Sequence, residues 1–154
     1  EDKAPYILKK YTIDVAEGGE KAITYRLEFP SSDKIKYNFI GIYDGDMRER
    51  LDTSKLNWKW LFLPGNKALE ELYREYLHVP ENLEKFCEIV GKEKQQIITM
   101  LATIDGNDYH DWFEELRKFL GIDGKMLVRN FYRIMQEMDK EIEEFIAELK
   151  KSIA

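Results

Sequence analysis

Asn38-Phe39-Ile40-Gly41-Ile42-Tyr43-Asp44-Gly45-Asp46 is the stretch on which the fold of this chain turns. Its first six residues are nearly continuously apolar, the mark of a strand buried on both faces. Asp44 and Asp46 follow at the carboxyl end of that strand, and an extended chain points residues two apart to the same side. In open α/β sheets that end is where ligands bind. Two carboxylates so close repel each other, raising the pKa of one unless a cation neutralises them. Hard oxygen donors of this kind suit Mg²⁺, which keeps several waters and takes few carboxylates from a protein. Gly45 between them permits a tight exit and close approach of a ligand. An ordinary strand-ending turn is equally compatible, since Asp and Gly are common turn residues. Spacing alone does not choose between the two.

Outward from this point the hydrophobic period changes. Upstream, Tyr11, Ile13 and Val15 alternate as in a half-buried strand ended by Gly18-Gly19. Residues 20–29 are ambiguous: Ile23, Tyr25, Leu27 and Phe29 alternate, yet Ile23 and Leu27 also share a helix face. Downstream, Trp58 to Leu63 is a second apolar run, closed by Pro64-Gly65. Beyond it the period is helical. Asn66 is placed to cap a helix with Leu69, Leu72, Tyr73 and Tyr76 inward. Pro80 suits the first turn of a helix running to Gly91. Ile97, Leu101 and Ile104 mark a third, and Asn107 or Asp108 caps a fourth that ends at Gly121. From Gly124, the series Leu127, Phe131, Ile134, Met138, Ile142, Phe145 and Leu149 predicts one amphipathic helix of about seven turns. Its Glu- and Lys-rich face reads most simply as solvated surface, with a partner-binding role as the alternative.

The expected fold is therefore α/β: a small, mainly parallel sheet from residues 11–15, 38–43 and 59–63, then a helical bundle. The expected division is an α/β region over residues 1–78 and a helical region over 79–154 packed on it.

Composition narrows the function. The 154 residues are 44% hydrophobic and 35% charged, which fits a globular chain rather than a disordered one. No run of about 18 apolar residues predicts a membrane span. With 24 basic against 30 acidic residues and a net charge of −6, a bulk electrostatic nucleic-acid binder is disfavoured. An enzyme meeting nucleic acid through metal ions in a local pocket is not. Cys87 is the one cysteine, so no intrachain disulfide forms and a cytoplasmic setting is expected. It shares a helical stripe with Leu83 and Val90, which reads as a core position rather than a nucleophile. The chain opens on Glu1 without an initiator Met, so a piece of a longer polypeptide is expected.

The segment from Phe39 to Arg48 resembles the DxD strand of a Toprim domain, and most resembles the Toprim half of OLD-like nucleases, which follow an ABC-type ATPase domain in one polypeptide. Gly18-Gly19 resembles the glycine turn after the second strand. Leu61-Phe62-Leu63-Pro64-Gly65 with Glu70-Glu71 resembles the strand and acidic helix that follow the DxD. Glu1-Asp2-Lys3-Ala4 resembles the acidic motif closing the first strand, and Tyr109-His110-Asp111-Trp112 a signature of the helical tail in some members. If Glu1 is the motif glutamate, the first strand lies upstream of this chain. The resemblance makes residues 20–29 a helix.

It also implies that Glu1, Asp44 and Asp46 are catalytic and converge to hold Mg²⁺ or Mn²⁺ for phosphodiester hydrolysis, with Glu70 helping a second cation. A first-turn Glu favoured by the helix dipole is the plainer reading of Glu70. Lys67, Arg48, Arg50 and His110 are candidates to meet substrate, each also readable as an ordinary surface residue, and His78 as a helix-end cation. The implied partners are DNA or RNA, an upstream ATPase and further copies of the chain, with no membrane and a role in anti-phage defence. Two rivals stand beside this. A haloacid-dehalogenase-like phosphatase would use Asp44 as nucleophile and Asp46 as general acid, but needs further strand-end residues that the helical second half does not offer. A catalytically inactive Toprim-like docking module is the non-enzymatic alternative.

Overall fold

The structure, a computed structural model, describes residues 11–30, 38–135 and 138–153. Glu1 and the acidic motif around it lie outside them. The chain is α/β in the broad sense, mostly helical with a two-stranded parallel sheet among the described residues. It divides into two compact units, one within Glu1–Asn66 and Lys140–Ala154, the other Lys67–Asp139.

In the first unit, helix α1 (Gly19–Glu28) precedes strand β1 (Ile40–Tyr43), two single 3₁₀ turns (Gly45–Arg48 and Thr53–Lys55) and strand β2 (Lys59–Phe62). The strands pair in parallel from Ile40 with Lys59 to Tyr43 with Phe62. Helix α1 forms where the sequence alone was ambiguous, because Leu27 and Ile23 are needed on one face. Gly41 lets both side chains close onto β1, and a Cβ there would collide with Leu27. The α1 carbonyls left open at its C-terminus are taken by the chain entering β2: Asn57 N–H bonds Leu27 O at 2.8 Å and Trp58 Nε1 bonds Phe29 O at 2.8 Å. Tyr43 is buried, and its hydroxyl meets the Thr24 hydroxyl at 3.0 Å. Burial pushes that phenol up, with the Thr24 bond working against it.

Two expectations in this unit are corrected. Residues 11–15 alternate as predicted but form no strand, and Ile13 and Val15 are 63% and 85% exposed. No strand among the described residues offers them a ladder, and their apolar face is not covered; Asp14 is drawn to Arg26 instead, at 2.7 Å. Strand β1 is buried on one face rather than two. Gly41 and Tyr43 are covered, while Ile42 on the other side is exposed.

The second unit holds helices α2 (Leu69–Leu77), α3 (Pro80–Val90), α4 (Lys94–Ile104), α5 (Tyr109–Leu120) and α6 (Gly124–Ile134). Pro80 stands in the first turn of α3, and Gly91 and Gly121 end α3 and α5 in the left-handed conformation that glycine tolerates. Their apolar stripes close one core around Phe86, Ile97, Trp112, Leu116, Leu127 and Phe131, each fully buried. Phe131 stacks on Tyr73 with centroids 4.3 Å apart and on Phe86 at 5.1 Å. Cys87 is buried in this core, and burial raises its thiol pKa. Polar groups are satisfied rather than excluded: the Tyr76 hydroxyl donates to Ile134 O, and Trp112 Nε1 to Asp105 Oδ1 at 3.2 Å.

The single seven-turn helix expected from Gly124 is also corrected. Helix α6 stops at Ile134, Met135 leaves helical geometry, and α7 runs separately over Asp139–Ile153. The three- and four-residue apolar spacing continues across the break, so periodicity could not reveal it. The two parts pack in different units. The α6 stripe enters the helical core. Helix α7 lies antiparallel along β2, since Glu141 near its start accepts from Gly65 N–H at 2.9 Å and Ser152 O near its end accepts from Lys59 Nζ at 3.2 Å. Among the described residues no helix is long and apolar enough to cross a membrane.

Candidate functional site

Parallel pairing sets the geometry of the Asp44-Gly45-Asp46 turn. Leu63 N–H bonds Tyr43 O at 2.8 Å, carrying the ladder one residue past the strands, and there the chain turns. Asp44 remains extended (φ −62°, ψ 156°), and its carbonyl accepts from Met47 N–H at 3.1 Å to open the 3₁₀ turn. Asp46 therefore sits within a helical turn. The rule that residues two apart on an extended chain face one way does not carry through it.

Gly45 is buried against the Pro64-Gly65 turn that leaves β2. A Cβ there would overlap the Gly65 carbonyl and crowd the backbone of Asn66. Backbone cannot swing aside as a side-chain end can. Gly45→Ala is accordingly expected to cost at least about 3 kcal/mol, the upper range of overpacking, read as a lower urea midpoint at unchanged slope. Gly41→Ala, which meets the flexible end of Leu27, is expected to cost less.

The charged residues around the turn have definite occupations. Arg48 folds back over the Phe62 ring at 5.1 Å, and its guanidinium donates to Leu63 O at 3.1 Å and Gly65 O at 3.4 Å. It staples the turn to the exit of β2. Arg50 donates to Asp46 Oδ2 at 3.0 Å. Asp44 is half-buried and makes contacts of its own. Its carboxylate does not cap the turn that follows. Asp52, Asp108 and Asp123 stand at the same position before their helices, and each does cap, accepting from Ser54, from His110 and Asp111, and from Met126. Those three aspartates are helix caps, whereas Asp44 does not cap its 3₁₀ turn and makes other contacts.

The remaining candidates belong to the second unit. Lys67 is held by Glu75 and lies 3.6 Å from Glu71, and the Glu75 contact raises its pKa. Glu70 and His110, far apart in sequence, come together across α2 and α5, with Oε1 to Nδ1 at 3.7 Å. His110 faces this partner while its backbone N–H donates to the Asp108 cap. His78 closes α2, with Nδ1 2.7 Å from Arg74 O and Nε2 3.2 Å from Asp105.

No family model matches the chain, and neither a curated protein nor a solved structure matches it. The chemistry available is that of the turn itself. Asp44 and Asp46 supply hard oxygen donors of the kind Mg²⁺ and Mn²⁺ accept, and Mg²⁺ commonly takes only one or two carboxylates. Among the described residues no three His, Cys, Asp or Glu side chains gather as a metal-binding group, and Glu1, the third ligand implied by the resemblance, lies outside them.

Proposed function

We propose that the chain is the Toprim part of an ATPase-linked, Mg²⁺- or Mn²⁺-dependent nuclease that cleaves DNA or RNA in defence against foreign genetic material. The observation that carries the reading is Asp44: a half-buried carboxylate at the carboxyl end of a parallel strand, without the capping role that other helix-start aspartates have here. The donor set fits a divalent ion, and Asp44 and Asp46 would hold it, joined by Glu1 on the resemblance. When bound, the ion supplies Lewis-acid polarisation of a phosphoryl oxygen and a more acidic water. The chain's own part is to hold Asp44 at the strand end, to keep Asp46 on the adjoining turn through Arg50, and to brace that turn through Arg48 and Gly45. Only the first unit carries this reading.

The test incubates the full-length protein with plasmid and with single-stranded substrates, in Mg²⁺, in Mn²⁺ or in EDTA. Cleavage with either metal and none in EDTA is expected. Cleavage undiminished by chelation defeats the reading. No cleavage of any substrate, with a stable protein complex isolated instead, replaces it with the docking-module alternative.

A further inference from the structure

Helix α6 carries charge of one sign. Lys125, Arg129 and Arg133 recur every fourth residue, and residues 124–135 contain no Asp or Glu although the chain as a whole is at −6. All three are exposed. A four-residue step is about 6 Å along a helix, so the three cations form a ridge about 12 Å long. Arg129 is engaged by contacts of its own, but Lys125 and Arg133 make no ion pair among the described residues. On α3, which packs against α6, the carboxylate of Glu84 is already taken by Lys94.

We infer that this ridge is a phosphate-contacting surface that tracks the backbone of a nucleic acid, distinct from the Asp44 turn. Each strand of duplex DNA presents one negative charge per about 3.4 Å of axis, so a ridge of about 12 Å runs past about three to four of them, a match for three cations. A line of cations with no acidic residue between them suits that uniform polyanion, and contacts of this kind position a protein on a backbone without reading sequence. A lipid surface is the poorer occupant. A basic helix lying on a membrane sinks its apolar face, and here Leu127, Phe131 and Ile134 on that face are already buried in the core. The choice of nucleic acid over other polyanions leans on the proposed function, but binding at the ridge requires no cleavage.

The experiment measures binding of the full-length protein to a short labelled duplex by fluorescence anisotropy, in EDTA, between about 50 and 200 mM salt. Lys125→Ala with Arg133→Ala removes two phosphate contacts. It is expected to lower the slope of log affinity against log salt by about 1.8 and to weaken binding about tenfold or more at the lower salt. Lys125→Arg with Arg133→Lys is expected to keep the parent slope. Lys85→Ala with Lys151→Ala, which removes the same net charge at other exposed positions, is expected to keep it too. An unchanged slope in the ridge variant overturns the inference. So does an equal drop in the control pair, or ridge-dependent binding to anionic vesicles or an acidic peptide in a protein that ignores the duplex. A lowered slope in a protein that never cleaves would sink the nuclease reading and leave the ridge standing; cleavage with an unaltered slope does the reverse.

Discussion

Asp44→Ala is expected to abolish metal-dependent cleavage while leaving the protein folded, with a change in unfolding free energy below about 1 kcal/mol. The two halves of that expectation have separate physical causes. Replacing a capping aspartate by alanine typically costs about 1 kcal/mol, but the Asp44 side chain does not cap the 3₁₀ turn that follows it. Its removal also takes away one of two neighbouring like charges and opens no apolar core. Against Asp44→Ala, Asp123→Ala serves as the contrast: it loses a real cap to Met126 N–H at 2.7 Å and is expected to destabilise by about 1 kcal/mol without affecting cleavage. Urea unfolding and the plasmid assay on the same preparations measure both. A protein lacking Asp44 that still cuts removes Asp44 from the site, and one that unfolds contradicts the stability half of the expectation.

The largest effect on stability is expected at Trp112. Its ring is fully buried in the helical core, and its indole N–H donates to Asp105, the carboxylate that also faces His78. Trp112→Ala leaves a cavity in the core, and substitutions of this size cost about 3–5 kcal/mol. Set against the usual total of about 5–15 kcal/mol, that is a large fraction of the whole stability. Helical circular dichroism across a urea series reads it directly. Trp58 provides the comparison. It is half-buried, packs edge-on against exposed Phe39 at 5.3 Å and bonds Phe29 O, so Trp58→Ala is expected to cost considerably less than Trp112→Ala.

How much of this was legible in the sequence differs by element. Strand β1, strand β2 and the first four helices of the second unit follow from their runs and periods, with Pro, Gly or Asp at most of the ends; the start of α2 is the exception, since Ala68 and not Asn66 stands at its cap position. Residues 11–15 misled because alternation records that a strand could bury one face, not that a neighbouring strand exists to pair with it. The break between α6 and α7 was hidden because no glycine or proline marks it and the apolar spacing runs on unbroken; only the separate packing of the two stripes requires it. At the candidate site, the position of Asp44 at a strand end was legible from the apolar run before it. The 3₁₀ turn that carries Asp46 was not, nor was the folding back of Arg48 onto Leu63 and Gly65. The latter depends on carbonyls left open at the exit of β2, 15 and 17 residues downstream. Likewise Glu70 and His110 meet only because α2 and α5 pack together.

The most direct measurement titrates Mn²⁺ calorimetrically into the full-length protein and into its Asp44→Ala and Asp46→Asn variants, each first shown to be folded. One saturable site in the parent, lost or severely weakened in both variants, is the expected result. Mn²⁺ binding of the same strength in all three proteins would contradict a metal centre at this turn.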